Sequence, residues 1–235
     1  MARVRTEDIR KMMANNRLFN HLNDEEMDAL LPHVQVRSYK PNQTIFLKND
    51  PGISVMGVIN GRVKISNVSA DGKEVVLNII DPGTFFGEIA LLDGKDRTAT
   101  ATAMDNSDIL VLQRRDFLPF LESHPHWAIK LIEVLCLRIR LTTELVEDSA
   151  FLTLPTRLAK RLVWLAENYG HETENGTRIE LKLTQRELGG LVGLSRENIN
   201  RQLRSWHKEG LIHMDSGTIT IVDEKTIGDL ADYFV

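Results

Sequence analysis

The chain of 235 residues is 42% hydrophobic and 26% charged with a net charge of −4. That describes a soluble globular protein long enough for two domains, and it excludes a uniformly basic nucleic-acid binder, so any such surface has to be local. Its one cysteine, Cys136, excludes an internal disulfide and a cysteine-ligated iron–sulfur cluster, and no apolar run approaches the ~18 residues of a membrane span, so a cytoplasmic protein with no membrane partner is expected.

From the N-terminus, residues 6–15 and 23–31 have the apolar spacing of short amphipathic helices. Asn23 is placed to cap the second, Asp24, Glu25 and Glu26 suit its dipole, and Pro32 ends it. From 33 to about 113 the texture turns to short β-rich runs punctuated by Pro41, Gly52, Gly57, Gly61, Asp71-Gly72 and Pro82-Gly83. Residues 58–65 alternate as one strand, and Asp71-Gly72 offers a hairpin turn before 75–80. The expected fold is an antiparallel β-roll or jelly roll.

Inside it lies Phe85-Phe86-Gly87-Glu88-Ile89-Ala90-Leu91-Leu92, followed by Arg97-Thr98-Ala99-Thr100-Ala101. Gly87 permits a backbone conformation closed to other residues, and a helical turn from Ile89 presents free amides. Arg97 adds a fork of donors and Thr98 a hydroxyl, so the group can hold a phosphate. Glu88 would be repelled there unless it accepts from a sugar hydroxyl, and ribose with phosphate means a nucleotide.

Residues 116–122 read as a helix, and Pro125 starts another of roughly 25 residues, about 37 Å long. Along it Ala128, Ile132, Leu135, Ile139, Thr142, Val146 and Ser149 alternate spacings of four and three, the seam of a two-stranded coiled coil, which predicts a homodimer. Thr142 is the polar irregularity on that seam, serving either as a register marker or as a ligand contact. Pro155 suits the first turn of a new helix, so a hinge is expected at 151–154 and a helix over 157–169. A polar loop at 170–176 and a short strand at 178–183 follow.

The C-terminal texture is helix-turn-helix. Thr184 caps the first helix with Glu187 completing its box, Gly193 makes the turn, and Ser195 caps the second helix, on which Ile199 and Leu203 are the buried positions. Leu211 to Met214 and Thr218 to Val222, joined by Ser216-Gly217, form a small wing. From Lys182 to Lys208 there are six basic residues against two acidic, a local excess of four in an acidic protein. The expected DNA-facing set is Thr184, Gln185, Ser195, Arg196, Glu197, Asn200, Arg201, Arg204 and Lys208. Arginine forks onto guanine and glutamate accepts from cytosine, so Arg196, Glu197 and Arg201 can read G·C-containing steps.

Gly-Glu-Ile-Ala-Leu-Leu with Arg-Thr-Ala resembles the phosphate-binding cassette of cyclic-nucleotide-binding domains, and with the C-terminal motif nearly the whole chain resembles the CRP/FNR transcription regulators. The likeness is to their cAMP-receptor members, with Clr-type cyclic-nucleotide-responsive regulators among them; a single cysteine separates it from the oxygen-sensing branch. The resemblance implies an α+β chain: a cyclic-nucleotide-binding β-roll with N-terminal helices over 1–123, a dimerisation helix and hinge over 124–152, and a winged helix-turn-helix over 153–235. It implies cAMP as allosteric ligand, with cGMP also a candidate, and no other cofactor or metal. Ile65 and Leu77, with Ile80, would touch the base or ribose, or else be ordinary core. Arg138 would brace Glu88, and Thr142 and Thr143 would hydrogen-bond the base, Thr143 from across the dimer. Arg-Glu-x-x-x-Arg resembles the base-reading set, although Asn198 and Asn200 stand where threonine and glycine are usual. A palindromic TGTGA-like double-stranded DNA site and contact with RNA polymerase through 168–178 are further implications. No phosphate-binding loop or metal spacing points to an enzyme.

Overall fold

The computed structural model describes residues 6–14, 19, 22–215 and 217–232; Asn15, at the end of the first expected helix, and Ser216, in the wing turn, lie outside them. The chain divides into two compact units, with one division of the sequence falling within a long helix, between Ile139 and Arg140. Residues 1–67 and 77–139 make the first, and Val68–Val76 joins Arg140–Val235 in the second.

In the first unit, α1 (Thr6–Ala14) and α2 (Asp24–Leu30) precede the strands. Asn23 caps α2 reciprocally: its side chain accepts from the Glu26 amide and the Glu26 carboxylate accepts from the Asn23 amide. Pro32 turns the exit into one 3-10 turn, Leu31–His33. Strands β1 (Val34–Tyr39), β2 (Thr44–Phe46), β3 (Ser54–Asn60), β4 (Val63–Val68), β5 (Glu74–Ile80), β6 (Phe85–Phe86), β7 (Thr100–Ala103) and β8 (Ser107–Gln113) form two four-stranded antiparallel sheets, ordered β1-β8-β3-β6 and β2-β7-β4-β5. The sheets enclose Met56, Val58, Val63, Ile80, Phe86, Ala101, Ile109 and Val111. The strand expected over 58–65 is two, because Gly61 turns at φ +75 and a Cβ there would meet the Ser107 Oγ at 2.4 Å. Helix α3 (Glu88–Asp93) follows β6, and α4 (Arg114–Ser123) leads into α5 (Pro125–Phe151). Trp127 and Leu131 of α5 are buried beside Phe117 and Phe120 of α4, while Ile132, Ile139 and Val146 on the expected seam are 56%, 66% and 61% exposed.

In the second unit, α6 (Leu154–Tyr169) begins at Pro155 in its first turn, with Thr153 extended before it. Residues 170–176, expected as a loop, instead include a strand: β9 (Gly170–Thr173) pairs with β10 (Gly176–Ile179), which stops short of the expected 183. Glycine at 176, with φ +109 and no space for a Cβ beside the Ile221 carbonyl, closes this hairpin. Helices α7 (Gln185–Val192) and α8 (Arg196–Lys208) precede wing strands β11 (Ile212–Asp215) and β12 (Thr218–Ile221), giving a sheet ordered β11-β12-β10-β9. A last helix, α9 (Glu224–Ala231), was not expected; its signal was Asp223, whose carboxylate caps the Thr226 amide and hydroxyl. It packs on α6. Gly190 of α7 faces Val76, where a Cβ would lie 2.7 Å from the valine methyl. Lys160 of α6 is held at 2.8 Å by both Glu144 and Asp148 of α5.

Candidate nucleotide cassette and DNA-reading helix

The backbone makes the cassette first. Phe85 and Phe86 are buried on β6, and Gly87 then takes the left-handed conformation at φ +82 as N-cap of α3. A side chain there would be strained, and its Cβ would lie 2.6 Å from Arg97 Nη1. Across the turn, the Arg97 amide donates to the Asp50 carbonyl and its carbonyl accepts from the Asn49 amide, both at 2.9 Å. The segment between β2 and β3 thereby fixes where the arginine leaves the chain.

Arg97 is 4% exposed and fully engaged at its two ends. Nη1 donates to the Gly87 carbonyl at 2.7 Å, and Nη2 to the Ser54 carbonyl at 2.8 Å and hydroxyl at 3.0 Å. The guanidinium lies 4.3 Å from the centre of the Phe46 ring, a cation–π contact, while Nε is buried without a partner. Glu88 is wholly buried. Its Oε1 lies 2.8 Å from Arg138 Nη1, an ion pair whose alignment does not make a directed hydrogen bond, and Oε2 has no partner. Arg138 also donates to the Phe85 carbonyl, so α5 is tied to β6. Burial raises the Glu88 pKa, with Arg138, the backbone and Arg97 opposing it; burial lowers those of Arg97 and Arg138, with Glu88 opposing in each case.

Six buried side-chain polar atoms lack a hydrogen-bond partner among the described residues, and four of them belong to Glu88, Arg97 and Asn67. Asn67 is bound to the cassette through its amide nitrogen, which donates to the Thr98 carbonyl at 3.2 Å. An unsatisfied buried polar atom costs about 1–3 kcal/mol, and these four belong to residues linked through the Arg97-Thr98 segment, Asn67 by its bond to the Thr98 carbonyl and Glu88 by its charge interaction with Arg97, which makes this segment the candidate place for a polar ligand. Of the other expected residues, Ala90 and Ala99 are buried and Thr98 is exposed. Ile65 is half-buried against the roll's core, whereas Leu77 and Ile89 are 36% and 38% exposed. Thr142 and Thr143 are exposed on α5, one turn beyond Arg138 but in the other unit. Phe46, Gly52, Ser54 and Asn67 were missed. Gly52 carried a signal as a glycine, since a Cβ there would meet the Ala90 Cβ at 2.2 Å, but nothing in the sequence joins Ser54 or Phe46 to Arg97.

In the second unit, Thr184 accepts from the Glu187 amide at 3.2 Å and Glu187 from the Thr184 amide at 2.9 Å, and Ser195 accepts from the Asn198 amide at 3.3 Å. The turn between them is tight: the Leu194 amide bonds the Gly189 carbonyl at 2.8 Å, and Gly193 is left-handed at φ +69. Ile199, Leu203 and Trp206 bury one face of α8. The other exposes Arg196, Glu197, Arg201, Arg204 and Lys208, with Asn200 half-buried; Thr184 is exposed and Gln185 half-buried on the α7 side. The two departures from the family pattern have partners: Asn198 accepts from Arg201 at 2.9 Å, and Asn200 accepts from Gln185 at 3.3 Å, joining the two helices. Arg186, one of the six basic residues, instead pairs with Glu74 at 3.4 Å.

A model of the cyclic nucleotide-binding domain matches residues 36–124, and one of the Crp-like helix-turn-helix domain matches 156–230. The chain belongs to the CRP/FNR family of transcription regulators. This regulator is 29% identical over 217 residues to the CRP-like cAMP-activated global transcriptional regulator of Mycobacterium tuberculosis, covering 92% of this chain and 97% of that one. Among solved structures, it resembles the c-di-GMP-responsive global regulator CLP of Xanthomonas campestris at 25% identity and a TM-score of 0.75, covering 85% and 99% of the two chains. CooA of Carboxydothermus hydrogenoformans, at 22% identity with a TM-score of 0.77 over 94% and 98%, shares the fold. The matched domains and relatives are those of DNA-binding regulators rather than enzymes, so the regulator binds a cyclic nucleotide and DNA. Among the described residues no helix is long and apolar enough to cross a membrane.

Proposed function

We propose that the regulator works in the cytoplasm as a homodimer activated by cAMP, which binds at Glu88 and Arg97 and brings two reading helices into register with a palindromic, TGTGA-like DNA site. The observation that carries this is the fully buried Glu88 carboxylate with an unpartnered oxygen beside Arg97. A ribose hydroxyl supplies the missing donor and a cyclic phosphate the missing acceptor for the arginine. Gly87, Ile89, Ala90, Thr98 and Ala99 would shape the phosphate end, and Ile65 and Leu77 the apolar wall. Thr142 and Thr143 would meet the base from α5, whose exposed Ile132, Ile139 and Val146 support a second copy on that seam. The functional division would be 1–123, 124–152 and 153–235. RNA polymerase would be met through 168–178, now seen as the end of α6 and the β9–β10 hairpin.

In this reading cGMP also binds, because a threonine hydroxyl can donate to guanine as readily as accept from adenine. Activation follows only the ligand with differential affinity for the DNA-ready state. A second reading, a regulator of the same fold that binds DNA constitutively or with another effector, draws support from Arg97, whose terminal donors already hold backbone carbonyls. Calorimetry with cAMP, cGMP, c-di-GMP and linear AMP separates the two. Tight binding of the cyclic mononucleotides alone is expected; binding of c-di-GMP alone, or of none, would establish the second.

A further inference from the structure

We infer that Asn67 is a specificity-determining residue of this pocket, its side-chain oxygen accepting the 2-amino group of a guanine base; this rests on the nucleotide reading proposed above. Along β4, side chains at 63, 65 and 67 share one face by strand alternation. Val63 is fully buried in the core of the roll and Ile65 packs against it, so Asn67 continues the inner wall. It stands one step past Ser66, whose pairing with Thr100 is the last between β4 and β7. The amide nitrogen is committed to the Thr98 carbonyl, which fixes the amide's orientation and leaves Oδ1 pointing away from that bond, shielded from water and without a donor. A buried acceptor without a donor calls for one from a ligand.

The position selects which donor. Thr98 follows Arg97 directly, so Asn67 sits at the phosphate end of the pocket. In a purine folded over its ribose, the 2-amino group of guanine comes to that end, whereas the 6-amino group of adenine lies at the far edge of the base. The test compares cGMP with cIMP, which differs only in lacking the 2-amino group. The unmutated protein is expected to bind cGMP about tenfold more tightly than cIMP, and Asn67→Ala to bring the two within about twofold. The ratio is the readout because the substitution also removes the bond to Thr98, which weakens every nucleotide alike; Asn67→Ser serves if the alanine variant does not fold. Equal affinities in the unmutated protein, or a ratio that survives the substitution, overturn the assignment of Asn67 alone. Failure of cAMP, cGMP and cIMP all to bind overturns the nucleotide reading with it.

Discussion

Glu88 and Arg97 are charges buried in the β-roll and braced by the half-buried Arg138 of α5, whereas Arg196, Glu197, Arg201, Arg204 and Lys208 stand in water on a capped helix whose other face supplies the core. In the proposed function both groups recognise a ligand, yet the first is desolvated before any ligand arrives and the second only on binding. A buried charge is positioned by other charges and by carbonyls, so its removal disturbs fold and recognition together. An exposed one on an independently stabilised helix is separable from the fold. The proposed ligand pocket therefore carries stored electrostatic cost, and the proposed reading helix carries almost none.

The largest effect is expected at Arg97. Arg97→Ala should abolish the response to nucleotide, by several kcal/mol of lost charge-assisted bonding, and it should also destabilise the free protein by about 1–3 kcal/mol by releasing the Gly87 and Ser54 carbonyls. Chemical denaturation paired with calorimetry checks both. Full stability with lost binding would make Arg97 as separable as an exposed residue and break the contrast. On the other side, Arg201→Ala should lose about 1–3 kcal/mol of discrimination at one guanine with a denaturation midpoint unchanged, and Lys208→Ala should weaken all sequences alike while reducing the salt slope by about one. Binding-site selection and salt titration measure these.

The cost at Glu88 has a sign that pH reveals. Burial holds its pKa above the ordinary 4.5, so the folded state keeps the proton to higher pH than the unfolded chain does. Stability falls as pH rises from the ordinary value through the raised one, at up to about 1.4 kcal/mol per pH unit. Glu88→Gln should flatten that slope in denaturation midpoints taken across the interval, and an unchanged slope would show that the carboxylate is not the group responsible. Lys160 sharpens the comparison as an intermediate case. Burial pulls its pKa down, but its hydrogen bonds to the Asp148 and Glu144 carboxylates, with their charges, outweigh it and hold the value above 10.5. The ammonium therefore adds stability below the ordinary lysine value that is lost as pH rises through the raised one. With the side chain 36% exposed, Lys160→Met should cost only about 0.5–1 kcal/mol at neutral pH, by urea denaturation.

Legibility in the sequence follows the same division. Caps are local, so Asn23, Thr184 and Ser195 could be read with their helices, as could the turn at Gly193 and the four-three spacing of α5. The hairpin at 170–179 was hidden because its residues are polar and because what leaves no space for a side chain at Gly176 is the Ile221 carbonyl, some forty-five residues on. In the cassette, Gly87, Glu88 and Arg97 were readable as a short motif, and the resemblance brought Arg138 to Glu88, which it does meet. Ser54, Phe46 and Asn67 were not, since what assigns them to the pocket is a contact across strands rather than a spacing along one.

The central claim is that the buried pocket controls the exposed helix. Fluorescence anisotropy of a labelled palindromic TGTGA duplex, titrated with the protein alone and with saturating cAMP, tests it directly. Specific binding is expected only with cAMP, at a stoichiometry of two chains per duplex; equal binding with and without the nucleotide would contradict the account.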